Sequence, residues 1–415
     1  MNAKPVTVEE LKEKLQGLNI DLSAPFAVAV SGGADSLALA LLMSQICKIE
    51  TVTVDHGLRA QAADEARFVG DVMERHSIAH TILHWEGEKP TTNVPAAART
   101  ARYRLIQNWC VEKKITNLVL AHHMDDQAET FLMRLSRGSG VYGLASMAEQ
   151  SPLMGSMGTI MMLRPLLHIT KERLKATLVS MKQDWVEDPS NKDLQYDRVK
   201  AREYLSNPPL LNLDSLKLAQ TAERMQRAKE ALDYYATELL AAAVVVYPAG
   251  YADLDVNILR SNPDETGLRA LARLVRHISG GVYSPRLAKL ERAYNALSRS
   301  DFSGQTLLGC QFTVSGTTVT VARESDAVDP LPWSGQGLWD GRFTISQSGQ
   351  GQVKKLGEDG WMQIKAVDPT LKHTSIAYST RLSLPTLWHE GKVIAQPHLG
   401  FGEGLEAQFS PIYAL

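Results

Sequence analysis

Cysteine is scarce in this chain of 415 residues, with only Cys47, Cys110 and Cys310. No two of them have the short spacing of a zinc or redox motif, and their number is odd. The sequence therefore predicts neither a metal–thiolate centre nor a disulfide framework.

Long apolar runs are also missing. The longest such stretch, residues 239–254, is uncharged apart from Asp253 and is interrupted by Pro248. It is shorter than the roughly 20 residues that cross a bilayer. Residues 1–15 contain no apolar signal core. We therefore expect a cytoplasmic protein without a transmembrane helix.

Neither sign of charge is in excess, because 44 Lys and Arg stand against 46 Asp and Glu. This balance excludes a small basic domain that coats nucleic acid, although a local basic patch remains compatible with it. Hydrophobic residues make up 44% and charged residues 22% of the chain, which is typical of a globular protein. The length predicts about three domains.

Short apolar runs alternate with helical patterns between residues 20 and 165. This alternation predicts a Rossmann-like α/β fold with a parallel sheet covered by helices, whose ligands bind at the carboxyl ends of the strands. The predicted strands are 26–30, 51–54, 81–85, 118–121 and 159–163. The predicted helices are 37–47, 62–76, 95–113 and 125–135.

The pattern changes after Pro208 and Pro209. Residues 210–297 have a helical period, residues 298–322 contain shorter β-like runs, and a Pro- and Gly-rich stretch from Asp329 predicts a linker. The remaining residues alternate β-branched side chains with glycine, which predicts a small mostly-β module. We therefore predict three domains, at 1–206, 207–328 and 329–415.

The strongest local motif, SGGADS, follows the first predicted strand and opens a helix. Glycines allow close backbone approach, and the N–H groups at a helix N-terminus attract anionic oxygens. A plain glycine turn with a serine cap is the alternative, but the whole string favours phosphate binding. Its residues are Ser31, Gly32, Gly33, Ala34, Asp35 and Ser36.

Two other phosphate motifs do not apply. A Walker G-x-x-x-x-G-K-[ST] pattern is missing from the sequence. A G-x-G-x-x-G pattern at Gly138, Gly140 and Gly143 follows a helix rather than a strand, so we interpret it as a flexible loop near the nucleotide.

Acidic and basic residues recur at helical spacings near the other strand ends. Asp125, Asp126 and Glu129 lie three or four residues apart, so their carboxylates share a helix face and could hold Mg²⁺ or an amine. Helix capping is the alternative. Arg99 and Arg102 also share a face, which suits phosphate binding or a solvated surface.

These motifs resemble those of the N-type ATP pyrophosphatases, or PP-loop enzymes, which cleave ATP to AMP and pyrophosphate while adenylating a substrate oxygen. Beside SGGADS, the resemblance rests on VDHGLR at 54–59, AARTARY at 97–103, AHHMDDQAET at 121–130, RGSG at 137–140 and WVEDPSN at 185–191. It is strong over about residues 20–205, weaker over 210–322, where a helical tRNA-binding domain is implied, and loose around 381–397.

The resemblance implies a reaction and a set of roles. Within the family the motifs point to members that ligate free L-lysine to the wobble cytidine of the CAU anticodon of tRNA(Ile) through an adenylated cytidine. ATP and Mg²⁺ are the implied cofactors. Asp126, Asp35 and Arg102 are the expected catalytic residues, with Asp35 also a candidate Mg²⁺ ligand. Residues 31–36, His56 and Arg99 are expected to bind ATP. Lysine or cytidine is expected at Asp125, Asp126, Glu129 and Arg137.

A basic segment supports an RNA partner. Residues 257–300 contain eight Lys or Arg against three acids. We predict tRNA contacts at Arg269, Arg273, Arg276 and Arg286, and the first three form a stripe at helical spacing; a solvated amphipathic helix is the alternative.

Other classes remain open at this point. The alternatives are a tRNA thiolase, an ammonia-dependent amide ligase or a nucleotide-binding module without catalysis. Residue 2 is Asn rather than the cysteine of an N-terminal glutaminase, and no C-x-x-C occurs. The clustered carboxylates argue against mere nucleotide capture. The sequence leaves the oligomeric state open, with a homodimer among the options.

Overall fold

The structure is a computed structural model of the chain. It describes residues 3–58, 62–87, 89–92, 94–155, 158–187, 197–206, 213–281, 283–297, 299, 301–316, 318–413 and 415. The chain divides into two compact units, residues 1–229 and 230–415. The predicted boundary at 206/207 falls at residues outside the described ranges, and the three-domain division stays a prediction.

The described part of the first unit contains a six-stranded sheet in the order β3-β2-β1-β4-β6-β5. All neighbouring pairs are parallel except β5 and β6. The strands are β1 (Phe26–Ala29), β2 (Ile49–Asp55), β3 (Ala79–His84), β4 (Asn117–Val119), β5 (Gln150–Gly155) and β6 (Gly158–Leu163). The predicted Rossmann-like parallel sheet is confirmed. Strand β5 was not predicted, because its sequence QSPLMG lacks a strand pattern and becomes a strand by pairing with β6.

Helices lie before, between and after these strands along the chain, and the four helices predicted at 37–47, 62–76, 95–113 and 125–135 are present. They are α1 (Val8–Gly17), α2 (Ala34–Met43), α3 (Ala62–Arg75), α4 (Val94–Glu112), α5 (Met124–Leu135), α6 (Val141–Leu144), α7 (Lys171–Ser180), α8 (Asp197–Ser206) and α9 (Ser215–Ala243). Helix α2 is apolar on every side after Ser36, which suits its position in the core beside Leu174 and Leu178 of α7.

Parallel pairing brings several loops to one edge of the sheet. Strand β1 pairs with β2 through Ala29 and Val52 and with β4 through Val28 and Val119. The segments that follow these three strands therefore emerge at the same edge, which is where parallel sheets bind ligands. The SGGADS motif follows β1 and the acidic motif follows β4.

The second unit contains an antiparallel sheet in the order β7-β8-β11-β10-β9. Its strands are β7 (Val244–Tyr247), β8 (Tyr251–Asp255), β9 (Gln305–Leu307), β10 (Cys310–Ser315) and β11 (Thr318–Arg323), and its helices are α10 (Val256–Arg260), α11 (Asp264–Ser279) and α12 (Leu287–Leu297).

The helical prediction for residues 210–297 is wrong at 244–255. A run of valines has high strand propensity, and Gly250 at φ +75° closes a tight hairpin between β7 and β8.

Short strands dominate the C-terminal part, as predicted. They are β12 (Phe343–Gln347), β13 (Gln352–Lys355), β14 (Pro385–His389), β15 (Lys392–Ala395) and β16 (Leu405–Phe409), arranged as β12-β16 and β13-β14-β15. Helices α13 (Gly357–Val367) and α14 (Tyr378–Leu382) complete it. Among the described residues, no helix combines the length and apolar character needed to span a bilayer.

Candidate active site

The SGGADS turn is built by backbone geometry that glycine allows. Gly32 has φ +84°, and a Cβ there would lie 3.3 Å from Cγ2 of Val69. Its carbonyl accepts a hydrogen bond from the N–H of Val186 at 2.9 Å. Ser36 Oγ accepts the N–H of Ser31 at 3.1 Å and donates to the carbonyl of Gly33 at 3.0 Å. These bonds fix the turn at the N-terminus of α2. The backbone N–H groups at this helix terminus are suited to bind a phosphate.

The acidic residues of α5 converge on the same turn. The Nε2 atom of His123 lies 3.4 Å from Oδ2 of Asp35 and 3.6 Å from Oδ2 of Asp126, and its Nδ1 lies 3.5 Å from Oδ2 of Asp125. We call Asp35, Asp125, Asp126 and Glu129, with His123 among them, the acidic rim. The structure thus joins the two motifs that the sequence placed 90 residues apart into one site.

Charged neighbours keep two carboxylates of the acidic rim, those of Asp125 and Asp126, ionised. Burial would lower the pKa of His123, but the carboxylates of Asp125 and Asp35 outweigh it and raise that pKa to about 10. Burial likewise opposes ionisation of Asp125 and Asp126, yet the charge of His123 and the groups that donate to them keep both pKa values below the usual range. One such donor is the N–H of Lys171, 3.0 Å from Asp125. The rim therefore presents negative charge at neutral pH.

Two arginines of α8 face the rim. Arg198 donates to Oδ1 of Asp126 and to Oε2 of Glu129, both at 2.7 Å, and Arg202 donates to Oε1 of Glu129 at 2.7 Å. The side chain of Glu129 is only 1% exposed, and a buried carboxylate needs charged partners to offset its loss of hydration. Neither arginine was predicted from the sequence, although their spacing of four residues puts both on one face of α8, as the spacing of three puts Asp126 and Glu129 on one face of α5.

A second cluster lies after β2. The Nε and one terminal nitrogen of Arg102 donate to Nε2 of His56 at 3.2 and 3.1 Å. Burial, helped by the charge of Arg102, lowers the pKa of His56 to about 4, so the imidazole is neutral and can accept these bonds. Arg99 lies with its guanidinium carbon 4.9 Å from the ring centroid of Tyr103. His56, predicted to bind ATP, and Arg102, predicted to be catalytic, are thus in contact.

Similarity to known proteins bears on this geometry. Residues 7–208 match the model of the PP-loop domain family. The tRNA(Ile)-lysidine synthase of Ruegeria pomeroyi is 37% identical over 92% of this chain and 90% of its own length. That of Wolbachia pipientis wMel is 34% identical over 90% of this chain and 89% of its own length. This chain belongs to the tRNA(Ile)-lysidine synthase family.

Solved structures resemble part of this chain more remotely. A U34-tRNA thiolase from Methanococcus maripaludis aligns with a TM-score of 0.44 and 18% identity, over 54% of this chain and 77% of that chain. The PP-loop resemblance that the motifs carried is confirmed by the family match, and the thiolase adds nothing to it at this TM-score.

Not all of the predicted site residues lie together. Arg137 lies beyond the carboxyl end of α5 and pairs with Asp197 at 2.9 Å, in a largely exposed position. Asp125 is in the first turn of the same helix, about 18 Å away along the axis. Among the described residues, no hydrogen bond or ion pair joins Arg137 directly to the acidic rim. Arg59 and residues 188–191 of the predicted motifs lie outside the described residues.

The residues present fit a divalent cation that arrives with nucleotide phosphates. Oδ1 of Asp35 is buried and has no hydrogen-bond partner among the described residues. Mg²⁺ is typically bound by one or two carboxylates together with substrate phosphates and water. Within the described residues no group of three metal-ligating side chains forms a site by itself. Asp35 is therefore suited to share a cation with a triphosphate.

The four arginines predicted to contact tRNA fall in the second unit. Arg269, Arg273 and Arg276 lie on one face of α11, whereas Arg286 is exposed immediately before α12. The structure brings the first three together around a cavity and places Arg286 outside its lining.

Proposed function

We propose that this protein ligates free L-lysine to the wobble cytidine of tRNA(Ile) with a CAU anticodon, consuming ATP and releasing AMP and pyrophosphate. The observation that carries the proposal is the contact of Asp35 in the phosphate-binding turn with His123 at the start of the acidic helix. A nucleotide bound at that turn would lie beside carboxylates able to hold an amine. The curated relatives named tRNA(Ile)-lysidine synthase support the same reaction.

The first step is adenylation. The N–H groups of residues 31–36 bind the triphosphate, and Arg99 and Arg102 lie on a neighbouring helix face from which they stabilise its charge. The cytosine carbonyl oxygen attacks the α-phosphorus, the bond to the β-phosphate oxygen breaks, and pyrophosphate leaves. Mg²⁺, held in part by Asp35, would neutralise charge on the phosphates. The cytidine must be unstacked from the anticodon loop for this attack.

The second step forms the carbon–nitrogen bond. The acidic rim binds the lysine ε-ammonium, and Asp126, aided by Asp125 and Glu129, orients it. The ammonium has no free electron pair, so it first gives one proton to a rim carboxylate. The resulting amine attacks the activated ring carbon, the carbon–oxygen bond to AMP breaks, and the nitrogen loses its second proton to water. Because Asp126 stays ionised, it acts mainly by binding and orienting the ammonium, and a proton that it takes up passes on to water.

We further propose that the first domain (1–206) contains this chemistry and that the arginines of the second unit bind tRNA. Their guanidinium groups supply the positive surface that a polyanion needs in a chain of net charge −2.

One assay tests the function. The full chain is incubated with ATP, Mg²⁺, labelled lysine and tRNA(Ile) bearing CAU, and we expect lysine incorporation with one AMP and one pyrophosphate per lysine. The same tRNA with uridine at the wobble position is the control and should accept no lysine. AMP release that depends on ammonia or sulfide would favour a different ligase or a thiolase. ADP formation, or no ATP consumption, would contradict the proposal.

A further inference from the structure

A cavity of about 430 Å³ opens between α9 and α11 in the second unit. Its lining combines three guanidinium groups with one carboxylate, one hydroxyl and one aromatic ring. The lining residues are Asp233, Tyr234, Thr237, Arg269, Arg273 and Arg276. The formal charge of this lining is +2, which favours an anion.

The helical spacing of α11 points the arginines into the cavity, where the opposite helix orients them. Arg269 Nε donates to Oδ1 of Asp233 at 3.1 Å. Arg273 donates to the carbonyl of Asp233 at 3.2 Å and to Oγ1 of Thr237 at 2.7 Å. The planar guanidinium fork makes these bonds directional, so they fix the orientation of both groups at the cavity.

Arg276 closes the cavity. Its guanidinium carbon lies 3.9 Å from the ring centroid of Tyr413, and its buried Nε has no hydrogen-bond partner among the described residues. Burial lowers the pKa of Arg276, and the charges of Arg269 and Arg273 lower it further. The positive charges thus repel one another, and an anion in the cavity would relieve that repulsion.

An exposed aromatic ring stands beside these charges. Tyr234 lines the cavity yet is 63% exposed, and its ring centroid lies 5.5 Å from that of Tyr235 in an edge-to-face arrangement. Arginines that bind phosphate next to an exposed aromatic ring form the usual platform for an unpaired nucleotide. A base inside a duplex has no free face to offer such a ring.

We propose that this cavity binds one phosphate of an unpaired RNA nucleotide whose base stacks on Tyr234. The inference rests on the proposed function, because it takes tRNA as the partner, and it adds that a loop or single-stranded end of the RNA is what enters here. The same phosphate chemistry is present in free nucleotides, so the experiment must separate the two sources.

The test compares Tyr234→Ala with Tyr235→Ala, a neighbouring ring of similar exposure (60%) that does not line the cavity. Fluorescence anisotropy measures binding of the full chain to a labelled single-stranded RNA and to a blunt duplex of the same composition. We expect Tyr234→Ala to weaken single-strand binding about tenfold. Tyr235→Ala should change it less than twofold, and neither should affect the duplex. Arg276→Gln should reduce the salt dependence of single-strand binding by about 0.7 in slope.

Three results would overturn the inference. These are unchanged single-strand binding by Tyr234→Ala, an equal loss for duplex and single strand, and displacement of the RNA by micromolar nucleoside monophosphate, which would make the cavity a free-nucleotide site. Lysine incorporation into tRNA by the wild type, measured in parallel, keeps the two proposals apart. Incorporation with no effect of Tyr234 contradicts the cavity alone, and a Tyr234-dependent RNA affinity without lysine incorporation contradicts the function alone.

Discussion

Asp126 is the residue on which the proposed chemistry depends most directly. It accepts the N–H of His123 at 3.0 Å through one oxygen and pairs with Arg198 through the other. One carboxylate oxygen therefore caps the N-terminus of α5. The other oxygen belongs to the charge network that would hold the ammonium of lysine.

We expect Asp126→Asn to reduce lysine ligation by at least about 100-fold, because the amide cannot bind the ammonium as an anion or accept its proton. The amide oxygen can still accept the N–H of His123, so circular dichroism should show an intact fold, while loss of the charge partner of Arg198 lowers the thermal unfolding temperature modestly. Asp71→Asn, at an exposed position on α3, is the matched control and should ligate like the wild type. Near-normal lysine ligation by Asp126→Asn would contradict the proposed role of Asp126 in binding the lysine ammonium.

His123 makes stability depend on pH. Its pKa is raised above the ordinary value of about 6.5 to about 10. Its contribution is therefore fully present below about pH 6.5 and is lost as the pH rises through 10. We expect the free energy of unfolding to fall by roughly 2–3 kcal/mol more between pH 7 and 9.5 in the wild type than in His123→Gln.

Urea unfolding of both proteins across this range measures that difference. Taking the difference cancels the titration of groups common to both proteins. Parallel curves for the two proteins would show that the imidazole is not charged in the folded state.

Between helices, the contact of α5 with α8 depends on a buried carboxylate with two cationic partners. Glu129 is almost wholly enclosed, while the side chains of Arg198 and Arg202 are 39% and 34% exposed. Because the arginines are partly solvated, each alone contributes modestly, and either one still gives the Glu129 carboxylate a charged partner.

We expect Arg198→Ala and Arg202→Ala each to lower the free energy of unfolding by about 1 kcal/mol, and the double variant to lower it by about 4 kcal/mol, since only the double variant leaves the buried charge unpaired. Urea unfolding of the four proteins of this cycle measures the coupling. Lys200→Ala, on the exposed part of α8, should be nearly neutral. Glu129→Gln in the double variant should restore part of the loss, and strictly additive effects would contradict the shared-partner arrangement.

Much of the site could be predicted because its residues lie where strands end and helices begin. Residues 31–36 and 125–129 each lie within a few residues of a strand that the alternation of the sequence reveals, and parallel strands put their carboxyl ends together. Arg198 and Arg202 could not be found this way. They meet Glu129 across separations of 69 and 73 residues, which no local pattern encodes.

Across the full chain, the proposed activity requires a nucleotide site in one unit and an RNA-binding surface in the other. Arg273 tests this division because it lies in the second unit. We expect Arg273→Ala to weaken tRNA binding about tenfold at low salt, with a smaller effect at high salt, because a phosphate contact releases counterions.

The affinity for ATP should remain that of the wild type. Filter binding of tRNA over a series of salt concentrations, with ATP titration by calorimetry, measures both quantities. Arg67→Ala, on the exposed surface of α3, removes an equal charge and should leave tRNA binding unchanged. A loss of ATP affinity in Arg273→Ala, or a salt dependence equal to that of the wild type, would contradict the division.

Local patterns were enough to establish the type and order of most strands and helices around the parallel sheet and the chemical class of the glycine turn, because those signals are periodic or contiguous over a few residues. They misplaced β7 and β8, where the strand propensity of the valine run outweighed the helical period around it. Folding alone establishes that His123 joins Asp35 to the acidic helix, that Arg137 pairs with Asp197, and that three arginines share a cavity with Tyr234. Such contacts join residues that are far apart in the sequence. They depend on how distant elements pack and on the burial and charge that this packing creates, which no short stretch of sequence specifies.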